Sequence, residues 1–173
     1  SFSNPFLDYF FIAVTMLGGE LFFTVAILGI YWCIDKKFGY KLAFVFLTNG
    51  LINTGIKDVL KVPRPIGEAG LRSLAVETAE GYSFPSGHSQ NITSFWVSII
   101  LYAKNLKICI GSIVIILLVA FSRVYLGVHR PVDIIAGIVI GFIWILIGNF
   151  LFDVAEKTGN KSILLVILVP ALC

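Results

Sequence analysis

The apolar residues of this chain form long blocks, and short segments rich in glycine, proline or charged residues separate them. Uninterrupted blocks favour helices buried in a lipid bilayer, whereas the surface helices of soluble proteins show a narrower apolar stripe. The pattern predicts six helices, over residues 7–17, 20–34, 40–60, 89–103, 106–121 and 132–152. A further block at 163–172 predicts the start of one more helix.

The segments between the blocks differ in composition. Gly18 and Gly19 predict a turn after the first helix, which at about 17 Å is too short to cross a hydrocarbon core of about 30 Å. We expect this helix to lie in the interface or to pack as a half-helix. Residues 35–39 are predicted to form a short charged turn, and residues 61–84 a loop outside the membrane.

Composition narrows the class of protein. The chain is 58% hydrophobic and 13% charged, well below the roughly 25% charged residues of soluble domains. We therefore expect one membrane-embedded domain over residues 1–173, built as an all-α, polytopic transmembrane helix bundle. A net charge of +3 without a run of like charges argues against a nucleic-acid partner. The three cysteines form no CxxC pair, so buried thiols are favoured over a disulfide or a zinc site.

Charged residues and both histidines gather at one end of the predicted bundle. If the helices alternate in direction, the ends of the third and fifth helices and the starts of the fourth and sixth share one membrane face. Charged groups at such a position are functional candidates, because a charge near lipid is costly. The candidates are Lys57, Arg64, His88, Arg123, His129 and Asp133. The remaining polar residues of this region are assigned no chemistry: Lys61, Arg72 and Arg130 as interface residues, Glu68, Glu77 and Glu80 as solvated loop charges, and Ser83, Ser89 and Gln90 as helix caps.

Part of this set suits the binding of a phosphate group. Lys57, Arg64 and Arg123 would neutralise a phosphate ester and the charge of an in-line transition state. Ser86 stands at a predicted helix start, where backbone N–H groups and the positive end of the helix dipole can face an anion. Gly87 permits close approach of the backbone to phosphate.

The histidines add a reaction. His129 and Asp133 are four residues apart at a helix entrance, so the carboxylate can hold the imidazole tautomer that exposes the other ring nitrogen as a nucleophile. His88 is then left for proton transfer. Because Asp133 is the only carboxylate of the set, no Mg²⁺ cage is expected, and we predict an enzyme without a metal or another cofactor.

Three segments carry a resemblance to a known family: Lys57, six residues, then Arg64-Pro65; Pro85-Ser86-Gly87-His88; and Ser122-Arg123, five residues, His129, three residues, Asp133. In this order they resemble the three-part signature of the type 2 phosphatidic acid phosphatase superfamily, which includes glucose-6-phosphatase and vanadium haloperoxidases. The resemblance implies that His129 attacks phosphorus to form a phosphohistidine. It also implies that His88 protonates the leaving oxygen and later activates water.

A site at the membrane edge suits a lipid substrate whose tail stays in the bilayer. Phosphatidate, phosphatidylglycerophosphate, a polyprenyl diphosphate and a sphingoid phosphate all fit this description. Two alternatives remain open, a phosphatase of a soluble sugar phosphate and a non-enzymatic protein that binds or transports a lipid phosphate. Haloperoxidase chemistry would need bound vanadate, and the apolar helices argue against its soluble form.

The basic residues of the short loops predict an orientation, because cytoplasmic loops collect lysine and arginine. Seven lysines lie away from the motif side: Lys36, Lys37, Lys41, Lys104, Lys107, Lys157 and Lys161. That side is predicted to be cytoplasmic. The active site is then expected to face the extracytoplasmic or lumenal side of the membrane, most simply the cell membrane.

Overall fold

The computed structural model describes residues 4–159, and this part of the chain forms six α-helices without a β-strand. The helices are α1 (Pro5–Met16), α2 (Glu20–Cys33), α3 (Lys36–Leu60), α4 (Gly87–Ala103), α5 (Leu106–Tyr125) and α6 (Pro131–Thr158). Between α3 and α4 the chain is irregular apart from a 3-10 turn at Val76–Thr78. The predicted all-α bundle is confirmed, and the helix predicted at 163–172 lies outside the described residues.

The lengths and hydropathy of the helices are those of a membrane protein. Of the described helices, α5 and α6 are each long and apolar enough to cross a membrane. The pair α1–α2 meets the same criterion when its two helices are taken as one span, which bends by 47° at the break between them. The short first helix predicted from the sequence is therefore one arm of a bent pair.

Helix boundaries differ from the prediction where capping decides them. The predicted charged turn at 35–39 is wrong, because Asp35 caps α3 and its carboxylate accepts a hydrogen bond from the Phe38 N–H (2.9 Å). An aspartate at this position satisfies a backbone donor that the first helical turn leaves free. At the other end of the bundle, α5 runs four residues further than predicted and ends at Tyr125, so that Arg123 lies in its last turn.

Two glycines of α6 bring its backbone against that of α4. A Cβ atom on Gly137 would lie 2.6 Å from the Ser86 carbonyl oxygen, and one on Gly141 would lie 2.5 Å from the Gln90 carbonyl oxygen. Small residues allow this kind of close approach between membrane helices. The Ser86 N–H also donates to the Asp133 carbonyl oxygen (3.0 Å), so the starts of α4 and α6 are joined directly.

A chain of buried amide side chains joins α3 to α4. The Asn53 amide donates to Gln90 Oε1 (2.8 Å) and to the Pro85 carbonyl oxygen (3.3 Å). Gln90 in turn donates to Asn49 Oδ1 (2.9 Å), and Asn49 donates to Asn91 Oδ1 (2.7 Å). Hydrogen bonds between helices satisfy polar groups that lipid cannot. They hold the helix that carries Lys57 against the start of α4, so Gln90 does more than cap a helix.

Candidate active site

The predicted site residues meet around one cavity at the end of the bundle. The cavity has a volume of about 640 Å³, and five predicted residues line it: Lys57, Arg64, Gly87, His88 and His129. The other three, Ser86, Arg123 and Asp133, are buried against the residues that form its wall. The fold thus brings together three sequence segments that lie up to 76 residues apart, from Lys57 to Asp133.

His129 has a defined tautomer. Its Nε2 atom lies 2.9 Å from Nη1 of Arg64, and a guanidinium can only donate, so Nε2 is an acceptor with a lone pair. The ring proton is then on Nδ1, which faces Asp133 Oδ2 (3.4 Å) and Ser83 Oγ (3.3 Å). This arrangement gives Nε2 the lone pair that a nucleophilic imidazole requires.

Two donors besides His129 hold the Asp133 carboxylate. The Ser83 hydroxyl donates to Oδ2 (2.6 Å), and the Arg130 N–H donates to the same oxygen (2.9 Å). Ser83 is fully buried, and the structure gives it a role in the site that the sequence interpretation as a helix cap missed. No spacing rule marks this serine, because its partner lies 50 residues later in the chain.

Burial and neighbouring charge favour the neutral form of His129. Burial, aided by the charges of Arg64 and Arg123, lowers the pKa of His129 to about 4, although the hydrogen bond with Asp133 acts in the opposite direction. Burial also lowers the pKa of Arg64, and the charge of Asp133 opposes this shift. At neutral pH the site therefore pairs a neutral imidazole with a charged guanidinium.

Arg64 is fixed by the loop that it crosses. Its Nε donates to the Gly81 carbonyl oxygen (2.9 Å), and its Nη2 donates to the Glu80 carbonyl oxygen (2.6 Å). Its Nη1 donates to the Val128 carbonyl oxygen (3.1 Å) as well as to His129. The guanidinium fork is thus held by backbone acceptors directly beside His129 Nε2, and guanidinium groups of this kind bind phosphate oxygens well.

Arg123 is fully buried behind the cavity wall. Its Nη1 donates to the hydroxyls of Thr15 (2.7 Å) and Thr78 (2.9 Å), and its Nη2 donates to the Thr78 carbonyl oxygen (3.1 Å). Its Nε has no hydrogen-bond partner, which is uncommon for a buried donor. A phosphate oxygen could accept a hydrogen bond from it. Contact between Arg123 and phosphate stays a prediction, because Thr78 lines the cavity and Arg123 does not. Neither threonine was found from the sequence, since Thr15 lies 108 residues from its partner.

The start of α4 presents its backbone to the cavity. The Ser86 hydroxyl accepts from the N–H (3.4 Å) and hydroxyl (3.1 Å) of Ser89, so both serines serve the N-terminus of the helix. A Cβ on Gly87 would lie 3.2 Å from Asn53 Oδ1 and 3.9 Å from the Lys57 ammonium nitrogen, which shows how closely α3 approaches. Lys57 therefore stands beside the positive end of the α4 dipole, and together they favour an anion.

The remaining loop charges divide into two groups. Arg130 forms an ion pair with Glu68 (2.5 Å), and Arg72 forms one with Asp8. Glu77 and Glu80, interpreted from the sequence as solvated charges, are exposed but line the cavity. Among the described residues, no group of three histidine, cysteine, aspartate or glutamate side chains is close enough to hold a metal ion.

Comparison with known proteins gives a family match. The model of the PAP2 superfamily matches residues 38–154 of the chain, which contain all three sequence segments described above. A crystal structure of a transmembrane PAP2-type phosphatidylglycerolphosphate phosphatase from Bacillus subtilis superposes with a TM-score of 0.73 at 28% identity. The match covers 91% of this chain and 80% of the Bacillus chain. The predicted resemblance and the helix-bundle fold are both confirmed.

Two curated proteins are similar in sequence. A probable sphingosine-1-phosphate phosphatase of Dictyostelium discoideum is 31% identical over 160 residues, which cover 84% of this chain and 39% of the Dictyostelium protein. An undecaprenyl-diphosphatase of Sulfolobus acidocaldarius is 33% identical over 124 residues, which cover 72% of this chain and 58% of that protein. The chain therefore spans between two fifths and three fifths of the length of these relatives.

Proposed function

This chain belongs to the PAP2 superfamily, and we propose that it is an integral membrane phosphatase that removes phosphate from a lipid through a phosphohistidine intermediate. The observation that carries the proposal is the state of His129. Its Nε2 lone pair is presented beside Arg64, in the cavity that also holds Lys57 and His88. A protein that only held a phosphate headgroup would need the cations but no oriented imidazole.

The proposed reaction has two steps. In the first, His129 Nε2 forms a bond to phosphorus while the ester P–O bond breaks, and His88 gives its proton to the leaving oxygen. In the second, His88 takes a proton from water, and that water attacks the phosphohistidine and releases inorganic phosphate. Asp133 stabilises the positive imidazole formed in the first step. Lys57 and the two arginines would stabilise the charge on the phosphoryl oxygens in both steps.

Trapping of the intermediate tests this mechanism. A short reaction with a ³²P-labelled substrate, stopped with alkali, should leave label on the protein that acid removes, as expected of a phosphoramidate. The chain has only two histidines, so His88→Ala is a matched control for His129→Ala. With an aryl phosphate, whose leaving group needs no proton, His88→Ala should still become labelled and His129→Ala should not. Labelling of His129→Ala at the wild-type level would refute the intermediate.

In these steps Lys57 and the two arginines neutralise the phosphoryl oxygens and Asp133 stabilises the positive imidazole, so the reaction needs no divalent metal to stabilise charge. We therefore propose that turnover is independent of metal, and that phosphate release in excess EDTA equals release in buffer with Mg²⁺. A rate that falls in EDTA and returns with Mg²⁺ would contradict this part of the proposal.

We propose a sphingoid phosphate as the substrate class. Four carboxylates in the described part of the chain take part in no hydrogen bond or ion pair: Glu20, Asp58, Glu77 and Glu80. All four line the cavity that Lys57 and Arg64 also line. They would repel a lipid that brings only negative charge, but they can attract the ammonium group that a sphingoid phosphate carries next to its phosphate. The name of the Dictyostelium relative supports the same class.

Substrate competition tests this choice. Wild-type protein should hydrolyse a sphingoid phosphate faster than the same lipid with its amine acylated, and faster than phosphatidate, by about threefold to fivefold as for an exposed ion pair. Conversion of the four carboxylates to amides should remove this preference. Glu156→Gln, whose ion pair with Lys37 lies at the opposite end of the bundle, is the control and should keep it. Equal rates in wild-type protein would leave the phosphatase proposal intact and reject the sphingoid class.

We also propose that the cavity faces the extracytoplasmic or lumenal side of the cell membrane. The lysines away from the cavity lie at the start of α3, at and just after the junction of α4 and α5, and at the end of α6. Lys161 is outside the described residues. In a background without native cysteines, Ala69→Cys should react with an impermeant thiol reagent from outside, and Lys107→Cys should not. Both positions are exposed, whereas Ala79 is buried and unsuitable for labelling. The opposite pattern would place the site in the cytoplasm.

A further inference from the structure

His88 differs from His129 in how it is held. Among the described residues, no hydrogen bond to its side chain is formed, so no hydrogen bond orients its ring. The backbone at Gly18 lies close to this ring. A Cβ placed on Gly18 would lie 2.9 Å from Cδ2 and 3.3 Å from Cγ of the His88 ring, and 2.8 Å from Cγ1 of Val119. Approaches under 3.0 Å are not seen for real Cβ atoms, so any larger residue at Gly18 must displace its neighbours.

Gly18 lies in the break between α1 and α2, where the helix pair bends by 47°. The glycine is buried, and it lines the same cavity as His88. Three residues before it, the Thr15 hydroxyl accepts from Arg123. The end of α1 and the break therefore contact two of the residues assigned to the reaction, one through a hydrogen bond and the other through packing alone.

We propose that Gly18 is a positioning residue for His88, and that the backbone at this glycine is the wall that sets the direction of the imidazole ring. The proposal rests on the proposed role of His88 as the acid that protonates the leaving oxygen. A group that gives a proton to the leaving oxygen and later takes one from water must keep its ring nitrogens free for these partners. Contact with a residue that has no side chain can fix the ring without occupying either nitrogen.

The nature of the leaving group separates this role from a general effect on the cavity. A lipid phosphate leaves as an alkoxide and needs the proton of His88, whereas p-nitrophenyl phosphate leaves as a stable phenolate without one. Gly18→Ala should lower turnover of the lipid phosphate by about tenfold or more, within the range of general acid catalysis. The initial burst of nitrophenolate, which reports only attack by His129, should change by less than about twofold.

Gly29→Ala is the matched control. Gly29 lies in α2, and a Cβ there would meet nothing within 4 Å, so this variant should keep wild-type rates with both substrates. If Gly18→Ala does not fold, the pair Gly18→Ala with Val119→Ala replaces it, with Val119→Ala alone as its reference. Truncation of Val119 removes the other close contact, so the added methyl group then opposes only the ring of His88.

The outcomes distinguish failure of this inference from failure of the proposed function. Equal losses with both substrates would mean that Gly18→Ala disturbs the whole cavity, and unchanged rates would mean that the ring does not need this wall. If His88→Ala is at the same time impaired on the lipid phosphate, either result overturns only the role of Gly18 and leaves the acid role of His88 standing. Normal turnover of the lipid phosphate by His88→Ala would overturn the acid role itself, and that result does not involve Gly18. The effects of Gly18→Ala and His88→Ala should not add in the double variant.

Discussion

The surroundings of the two histidines differ in kind. His129 contacts Ser83, Asp133 and Arg64 through polar atoms, while His88 packs closely against Gly18 and has no hydrogen bond in the described part of the chain. A nucleophile needs one tautomer and one lone-pair direction, which hydrogen bonds to its far nitrogen provide. A group that exchanges protons twice needs free nitrogens, which packing leaves available. Substitutions should therefore act by lost hydrogen bonds around His129 and by added volume around His88.

The largest effect is expected from Asp133→Asn. An amide keeps the shape of the carboxylate but cannot accept the Nδ1 proton equally well or stabilise a positive ring. We expect kcat/KM for the lipid phosphate to fall by about 10³-fold to 10⁴-fold, as when the orienting carboxylate of a catalytic triad is replaced. Steady-state phosphate release in detergent micelles measures this. A loss below about tenfold would show that His129 does not depend on its carboxylate partner.

Arg64→Lys should have the next largest effect. Lysine keeps the charge but cannot bond at once to the carbonyl oxygens of Glu80, Gly81 and Val128 while reaching His129. We expect kcat/KM to fall by about tenfold to a hundredfold, the size of one lost hydrogen bond to a charged group. Full activity in this variant would mean that Arg64 acts as a point charge only.

Ser83→Ala should cost less, because Asp133 keeps the Arg130 N–H as a donor. We expect kcat to fall by about fivefold to tenfold with KM little changed, since the lost bond orients the nucleophile and does not contact substrate. Ser83→Thr retains a hydroxyl and should recover most of the rate. Ser98→Ala is a control of the same type, because that buried hydroxyl donates to the Ser94 carbonyl oxygen (2.6 Å) within α4. A matching loss in Ser98→Ala would assign the effect to stability.

The smallest expected effect is that of pH on His129. In His88→Ala the only remaining imidazole is that of His129, so its ¹⁵N resonances report this group alone. We expect a neutral ring with its proton on Nδ1 at pH 6, and protonation only as the pH approaches about 4. Between its ordinary pKa of 6.5 and the lowered value of about 4, His129 is protonated in the unfolded chain but neutral in the folded protein. The free energy of unfolding contributed by His129 therefore decreases as the pH falls through this range. A midpoint near 6.5 would show that the ring is solvated.

Much of the fold was predictable because lipid imposes one requirement on the whole chain. A helix that crosses a bilayer satisfies its own backbone, so the apolar blocks gave the number of helices in the described region and their approximate limits. The errors fall at helix ends, where one side chain decides. Asp35 turned a predicted loop into the first turn of α3, and the last turn of α5 carries Arg123 because polar Ser122 and Arg123 are buried against the bundle. Hydropathy does not report either effect.

The sequence by itself determined the membrane class, the helical bundle and the residues of the three motifs, because apolar blocks and short motifs are local properties of a chain. Only the tertiary structure decided which side chains support them. Ser83 and Asp133 form a hydrogen bond although they are 50 residues apart, and Thr15 and Arg123 do so although they are 108 residues apart. Gly18, between α1 and α2, packs against His88 in α4. A serine, a threonine and a glycine are common residues, and nothing in their own neighbourhood marks them as part of the site, although Gly18 and Gly19 do predict a turn. Their roles arise from atomic distances that exist only when the helices pack.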